Sequence, residues 1–141
     1  MWRTDDGGRS FSPAVTLVDG QYFDHPGIAA GTGLSPSQRN VYLVWAGGAT
    51  GESPSDLAFT RSTDGGKTFE RARTILTDRR PSIASAGPRL VAGADGLVCA
   101  ACPEASTRDS SGALTADMVV VCSTDAGDSF AAPEGLGTAE N

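Results

Sequence analysis

Basic charge, histidine and long apolar runs are what this 141-residue chain has little of. Lysine occurs once, at Lys67, and eleven lysines and arginines face seventeen acidic residues, for a net charge of −6. A surface with that balance has nothing to recruit phosphate, so nucleic acid is not expected as a partner. The acidity favours solubility and points to no particular ligand. His25 is the only histidine, so a multi-histidine zinc site or a histidine-based triad is complete only if other residue types fill it. No apolar stretch is long enough to span a membrane as a helix, and no segment sustains a helical period. Met1-Trp2-Arg3 runs on without a charged segment followed by an apolar one, so the chain itself carries no signal peptide, while a secreted parent protein stays open.

What the chain has instead is turns, with glycine at 18 positions and proline at 8, and a repeat. Thr4-Asp5-Asp6-Gly7-Gly8-Arg9-Ser10-Phe11, Ser62-Thr63-Asp64-Gly65-Gly66-Lys67-Thr68-Phe69 and Ser123-Thr124-Asp125-Ala126-Gly127-Asp128-Ser129-Phe130 all fit hydroxyl-x-Asp-x-Gly-x-hydroxyl-Phe. They start at residues 4, 62 and 123, a period near sixty. The aspartate is suited to accept hydrogen bonds from amides two or three residues on, the glycine to supply positive φ, and the phenylalanine to pin the turn to an apolar layer. Asp-x-Gly-x-Ser also looks like the start of a calcium loop, which needs a bidentate carboxylate at its twelfth position. Those positions hold Leu17, Ile75 and Leu136, so no metal site is expected at the octets.

The octets resemble Asp boxes, the bacterial neuraminidase repeat of sialidases and related β-propeller glycosidases, and the resemblance covers almost the whole chain. It implies an all-β propeller of sialidase type in which each box forms the turn between the third and fourth strands of a blade. It also implies that Thr4, Asp6, Gly8 and Phe11, Ser62, Asp64, Gly66 and Phe69, and Ser123, Asp125, Gly127 and Phe130 are structural and lie away from an active site.

Taken in order, residues 1–18 read as the end of a preceding blade. Phe11 to Val18 has the look of a strand, and Pro13 makes it an edge, as Pro133 does for the matching strand after the third box. Residues 26–76 read as one four-stranded blade. Val41-Tyr42-Leu43-Val44-Trp45 is its clearest strand, apolar throughout and expected to be buried on both faces. Residues 88–137 read as a second blade, with Asp95-Gly96 as a two-residue hairpin turn and Leu97 to Ala101 matching Val41 to Trp45. The chain is thus expected to form one partial propeller domain of about two complete blades plus the last strand of another. A sialidase-like propeller has six blades, and a lone pair leaves sheet faces uncovered. The partners expected are therefore the remaining blades of a longer protein or other copies of the chain, as in a closed trimer. The ninth strand would be surplus in such a ring.

Strand alternation sets the loops before each blade, and those between its second and third strands, on the side away from the boxes. Asp24, His25, Arg79, Arg80 and Glu104 fall there and are the candidate ligand face, Arg79-Arg80 being the best anion-binding candidate. A sialidase resemblance implies three arginines on the substrate carboxylate, a tyrosine nucleophile with a glutamate beside it, and an aspartate acid/base. None of these is assignable: Arg-Ile-Pro is absent, Tyr22 lies in a loop with no glutamate to pair with, and Tyr42 is mid-strand. No cofactor is implied. Cys99-Ala100-Ala101-Cys102 has CxxC spacing but falls at a strand end and not at a helix start. Buried thiols and a Cys99–Cys122 cross-strand disulfide are both open. Two functions follow. One is a piece of an exo-sialidase or related exo-glycosidase, inactive by itself; the other is a non-catalytic Asp-box propeller used as a carbohydrate-binding or scaffold module.

Overall fold

A computed structural model of the chain describes residues 1–18, 23–49, 56–77, 87–103, 107–108, 114–115 and 117–138. Arg79, Arg80 and Glu104 lie outside the described residues. The elements are all β: β1 (Asp24–Thr32), β2 (Arg39–Ala46), β3 (Asp56–Ser62), β4 (Arg73–Thr77), β5 (Arg89–Ala92), β6 (Val98–Pro103), β7 (Thr107–Arg108), β8 (Leu114–Thr115), β9 (Asp117–Ser123) and β10 (Glu134–Thr138). Two four-stranded antiparallel sheets carry the fold. Sheet 1 has the order β1-β2-β3-β4 and sheet 2 the order β5-β6-β9-β10, so both are simple meanders. They begin and end within two residues of the two units read from the sequence. The long connection between β6 and β9 forms a small ladder of its own, β7 with β8, which no sequence signal announces.

The hairpin between β5 and β6 shows how turn chemistry sets register. Asp95 and Gly96 have φ of 56° and 79°, both left-handed, and Leu97 N–H donates to Ala94 C=O at 3.2 Å. This is the arrangement of a type I′ turn, whose twist matches the flanking strands. The register also corrects the apolar-run match. Val41 stands opposite Ser62 and Val98 opposite Ser123, so β6 corresponds to β2 through Val98–Cys102, not Leu97–Ala101. The difference is one residue, and one residue exchanges the two faces of a strand.

Sheet 1 is buried on both faces. Tyr42, Val44, Leu57 and Phe59 meet Val98, Ala100, Cys102 and Val121 of sheet 2. On the other side Leu43, Trp45 and Ala58 are covered by Met1, Leu17, Val18, Phe69 and Ala72. Residues 1–18 therefore lie on sheet 1 as sheet 1 lies on sheet 2. The two sheets approach along their first strands, where a Cβ on Gly31 would stand 3.0 Å from Gly93 O and 3.1 Å from Ala92 Cβ. A side chain there would have to push the neighbouring strand back by a few tenths of an ångström.

The segment after the first box differs from the strand expected over Phe11 to Val18. It forms no regular strand, yet it bonds antiparallel to the start of the chain: Met1 N and Val15 O lie 2.7 Å apart, Val15 N and Met1 O 2.8 Å, and Ser12 N and Arg3 O 2.8 Å. Pro13 has no N–H to continue the ladder. The matching segments after the second and third boxes do become β4 and β10, both at sheet edges, as the proline beside β10 leads one to expect.

Candidate functional site

The three boxes close on one set of bonds, with one exception in the third. The position-1 hydroxyl donates to Asp Oδ1, at 2.8 Å from Thr4, 2.7 Å from Ser62 and 2.6 Å from Ser123. The hydroxyl oxygen in turn accepts the position-5 glycine N–H, at 2.9 Å from Gly8 and 2.8 Å from both Gly66 and Gly127. Asp Oδ1 also takes amides ahead of it, Arg9 and Ser10, Lys67 and Thr68, and Ser129, at 2.9–3.0 Å. Asp Oδ2 takes the position-7 hydroxyl, at 2.6 Å from Ser10, 2.7 Å from Thr68 and 2.5 Å from Ser129. A backbone bond nine residues long shuts the loop each time: Ser12 N–H to Arg3 C=O, Glu70 N–H to Arg61 C=O, and Ala131 N–H to Cys122 C=O.

Left-handed backbone at positions 4 and 5 lets those amides converge. Gly7 and Gly8, Gly65 and Gly66, and Ala126 and Gly127 have φ of 74° and 87°, 75° and 85°, and 60° and 85°. In the third box alanine replaces the position-4 glycine. There Asp128 N–H turns to Asp125 C=O at 3.3 Å.

These donors hold the three carboxylates well below the usual range. For Asp6 the Ser10 hydroxyl is the largest cause, for Asp64 the Thr68 amide, and for Asp125 the Ser123 hydroxyl. The aspartates are thus ionised, and their lone pairs are committed within the octet. An anion so engaged makes a turn and has no proton to lend at neutral pH. Phe69 and Phe130 reach the apolar layers as expected, while Phe11 stands 61% exposed.

The residue before the box does work that the motif does not announce. Arg61, 13% exposed, donates from Nε to Glu70 at 2.8 Å and from Nη1 to Ala126 C=O at 2.7 Å, and it pairs with Asp128. Burial opposes its charge, but Glu70 and Asp128 outweigh this and its pKa is raised. It thereby ties sheet 1 to the third box. Arg3 holds the same place one unit earlier, with its Cδ 3.6 Å from a Cβ placed on Gly66, as that of Arg61 is 3.8 Å from one on Gly127. Lys67 stands where Asp128 does, so Arg3 bonds instead to Asp5 at 2.6 Å. An arginine before two of three boxes is the signal that could have found this clamp. Arg73 was also missed: its guanidinium sits 5.6 Å from the Phe59 ring and 5.7 Å from Phe130, between the sheets.

At the end opposite the boxes β1 begins with Asp24 and His25. His25 Nδ1 lies 3.0 Å from Asp24 Oδ1, which also accepts the His25 amide at 2.9 Å. His25 has φ 49° beside a register shift between Asp24 and Gly27, and it packs against Gly87 at the start of sheet 2. The structure thus brings together Asp24 and His25 of the candidate ligand face. Tyr42 is fully buried, its hydroxyl accepting from Asn40 Nδ2 at 2.9 Å, and belongs to the core. Cys99 and Cys122 stand directly opposite, with Cα atoms 4.2 Å apart, and are joined as a disulfide. Cys102 is buried on the other face of β6. Among the described residues no three histidine, cysteine or acidic side chains group as metal ligands, and no helix is long and apolar enough to cross a membrane.

Comparison with protein-family models and with curated proteins finds no match.

Proposed function

We propose that the chain is a stack of sialidase-like Asp-box units of propeller type, completed by further units or by other copies of the chain. Its 141 residues supply scaffold and not the catalytic groups of an exo-glycosidase. The observation that carries this reading is the box bond set, which recurs three times with donors and acceptors in the same places except for the position-6 amide of the third box. The close approach of β1 to β5 supports it further, since propeller blades draw together at their inner strands. In this arrangement the boxes brace one end of the sheets, and the loops at the other end, where Asp24 and His25 sit, are left to meet a carbohydrate.

Sialidase chemistry asks for an arginine cluster and a tyrosine with a carboxylate beside it. The one tyrosine among the described residues, Tyr42, is spent in the core. The purified chain is therefore expected to leave a fluorogenic sialoside unhydrolysed. Turnover above the heat-inactivated control would overturn the scaffold reading. The second reading, a non-catalytic carbohydrate-binding module, is favoured by the Asp24–His25 pair at the loop end. Retention of the chain on immobilised glycans, lost in an Asp24→Ala/His25→Ala variant, distinguishes it from pure scaffold.

A further inference from the structure

The face of sheet 2 turned away from sheet 1 ends the pattern that the rest of the chain repeats. Where Arg3 and Arg61 precede the first two boxes, Cys122 precedes the third. Tyr42, which stands opposite Arg61 in sheet 1, corresponds to Cys99 in sheet 2. The pair that in sheet 1 reaches out to the neighbouring unit is replaced by a compact covalent link. This face therefore lacks the arginine clamp with which sheet 1 holds the following box.

The register lays out what the face does present. Val91, Cys99 and Cys122 form one cross-strand row, and Arg89, Ala101, Val120 and Glu134 the next. Residues directly opposite share a face, so both rows point away from sheet 1. Val91 is 62% exposed, and Leu136, further along β10, is 65% exposed. The face is low and apolar, with one cation at its β5 edge and one anion at its β10 edge. Neither charge has an ion pair among the described residues.

We propose that this face pairs with the same face of a second copy of the chain, about a twofold axis lying between the sheets and parallel to the strands. That axis puts β5 of one copy over β10 of the other, and so sets Arg89 against Glu134 of the partner subunit in both directions. An interface of this kind is isologous and closes at two chains. Four strands at about 4.8 Å spacing and about six residues at 3.4 Å cover roughly 400 Å² per copy. Twice that area falls below the standard interface, so the dimer is a weak one. The inference takes the second arm of the proposed function, completion by another copy of the chain, which here meets sheet 2 face to face; it stands on the register and charges of sheet 2 and not on any sugar-related activity.

Sedimentation equilibrium of the whole chain tests it, from micromolar concentrations, where a weak dimer is dissociated, up to about 1 mM, where it forms. The expected result is a monomer–dimer equilibrium. Arg89→Glu and Glu134→Arg should each weaken it about tenfold or more, because each sets like charges face to face. A mixture of the two variants should dimerise where each alone does not, since the unlike chains restore both contacts, and the double exchange should self-associate again. Both positions are exposed, and unchanged urea midpoints of the variants verify that they fold. A single-chain mass throughout, a dimer indifferent to both reversals, or growth past two chains into head-to-tail oligomers overturns the proposal.

Discussion

Replacing the position-5 glycine of each box with alanine is expected to give unequal costs from one and the same backbone change. Gly8, Gly66 and Gly127 share φ of 85–87°, so each alanine bears the left-handed penalty, on the order of 1 kcal/mol. The space around them differs. A Cβ on Gly8 meets nothing within 4 Å, and one on Gly66 meets Arg3 Cδ at 3.6 Å and Val41 Cγ2 at 3.8 Å, which are ordinary contacts. A Cβ on Gly127 stands 2.6 Å from Phe59 Cζ and 3.0 Å from Cε1. Phe59 is fixed by its edge contact with Phe130 at 4.9 Å and its stack with Tyr42, so it has nowhere to retreat. Overpacking of that kind adds about 1–3 kcal/mol. Gly127→Ala should therefore cost about 3 kcal/mol and the other two about 1 kcal/mol. Urea unfolding with a common m-value reads the difference as a shift in midpoint. Equal midpoints for the three variants would refute the packing of the third box against sheet 1.

Arg61→Met should destabilise the fold by about 1–2 kcal/mol in the same assay, a figure reduced because Glu70 and Asp128 are half exposed. Arg61→Lys should recover less than half, since an ammonium cannot fork among three acceptors. The box aspartates have folded pKa values below their unfolded ones, so their contribution is full above about pH 4 and is lost as pH falls further. Asp64→Asn should accordingly lie well below the native protein in urea midpoint at pH 7 and converge on it in acid; a constant gap would contradict the hydrogen-bonded carboxylate. Denatured without reductant, the chain should titrate one thiol, and three after reduction. Cys99→Ala/Cys122→Ala should cost about 3 kcal/mol, the loop-closure value for its sequence separation of 23.

Features written in consecutive residues were legible from the chain alone. Thr4, Asp6, Gly8 and their counterparts spell out the box because all its donors and acceptors lie within eight residues. Asp95-Gly96 announced its hairpin, Pro133 its edge strand, and the unbroken apolar run from Val41 to Trp45 its burial on both faces. What needed the third dimension stayed hidden. The apolar residues from Leu97 to Cys102 form one run, so only the pairing with β9 shows which of them oppose the box. Arg61 reads as a surface charge until Ala126 and Asp128, 65 and 67 residues away, come beside it. His25 is set beside a register shift in β1 and against Gly87, just ahead of the next sheet, which its neighbours in the sequence do not announce. Of the candidate ligand face, those two residues are placed and Arg79, Arg80 and Glu104 lie outside the described residues.

The units are stacked so that the third box abuts the core of sheet 1, and one double-mutant cycle tests that contact directly. Phe59→Leu removes the Cε1 and Cζ atoms that crowd position 127. In that background Gly127→Ala should cost only the backbone penalty of about 1 kcal/mol, giving a coupling of about 2 kcal/mol between sheet 1 and the third box. An unchanged cost in the two backgrounds would contradict the stacking.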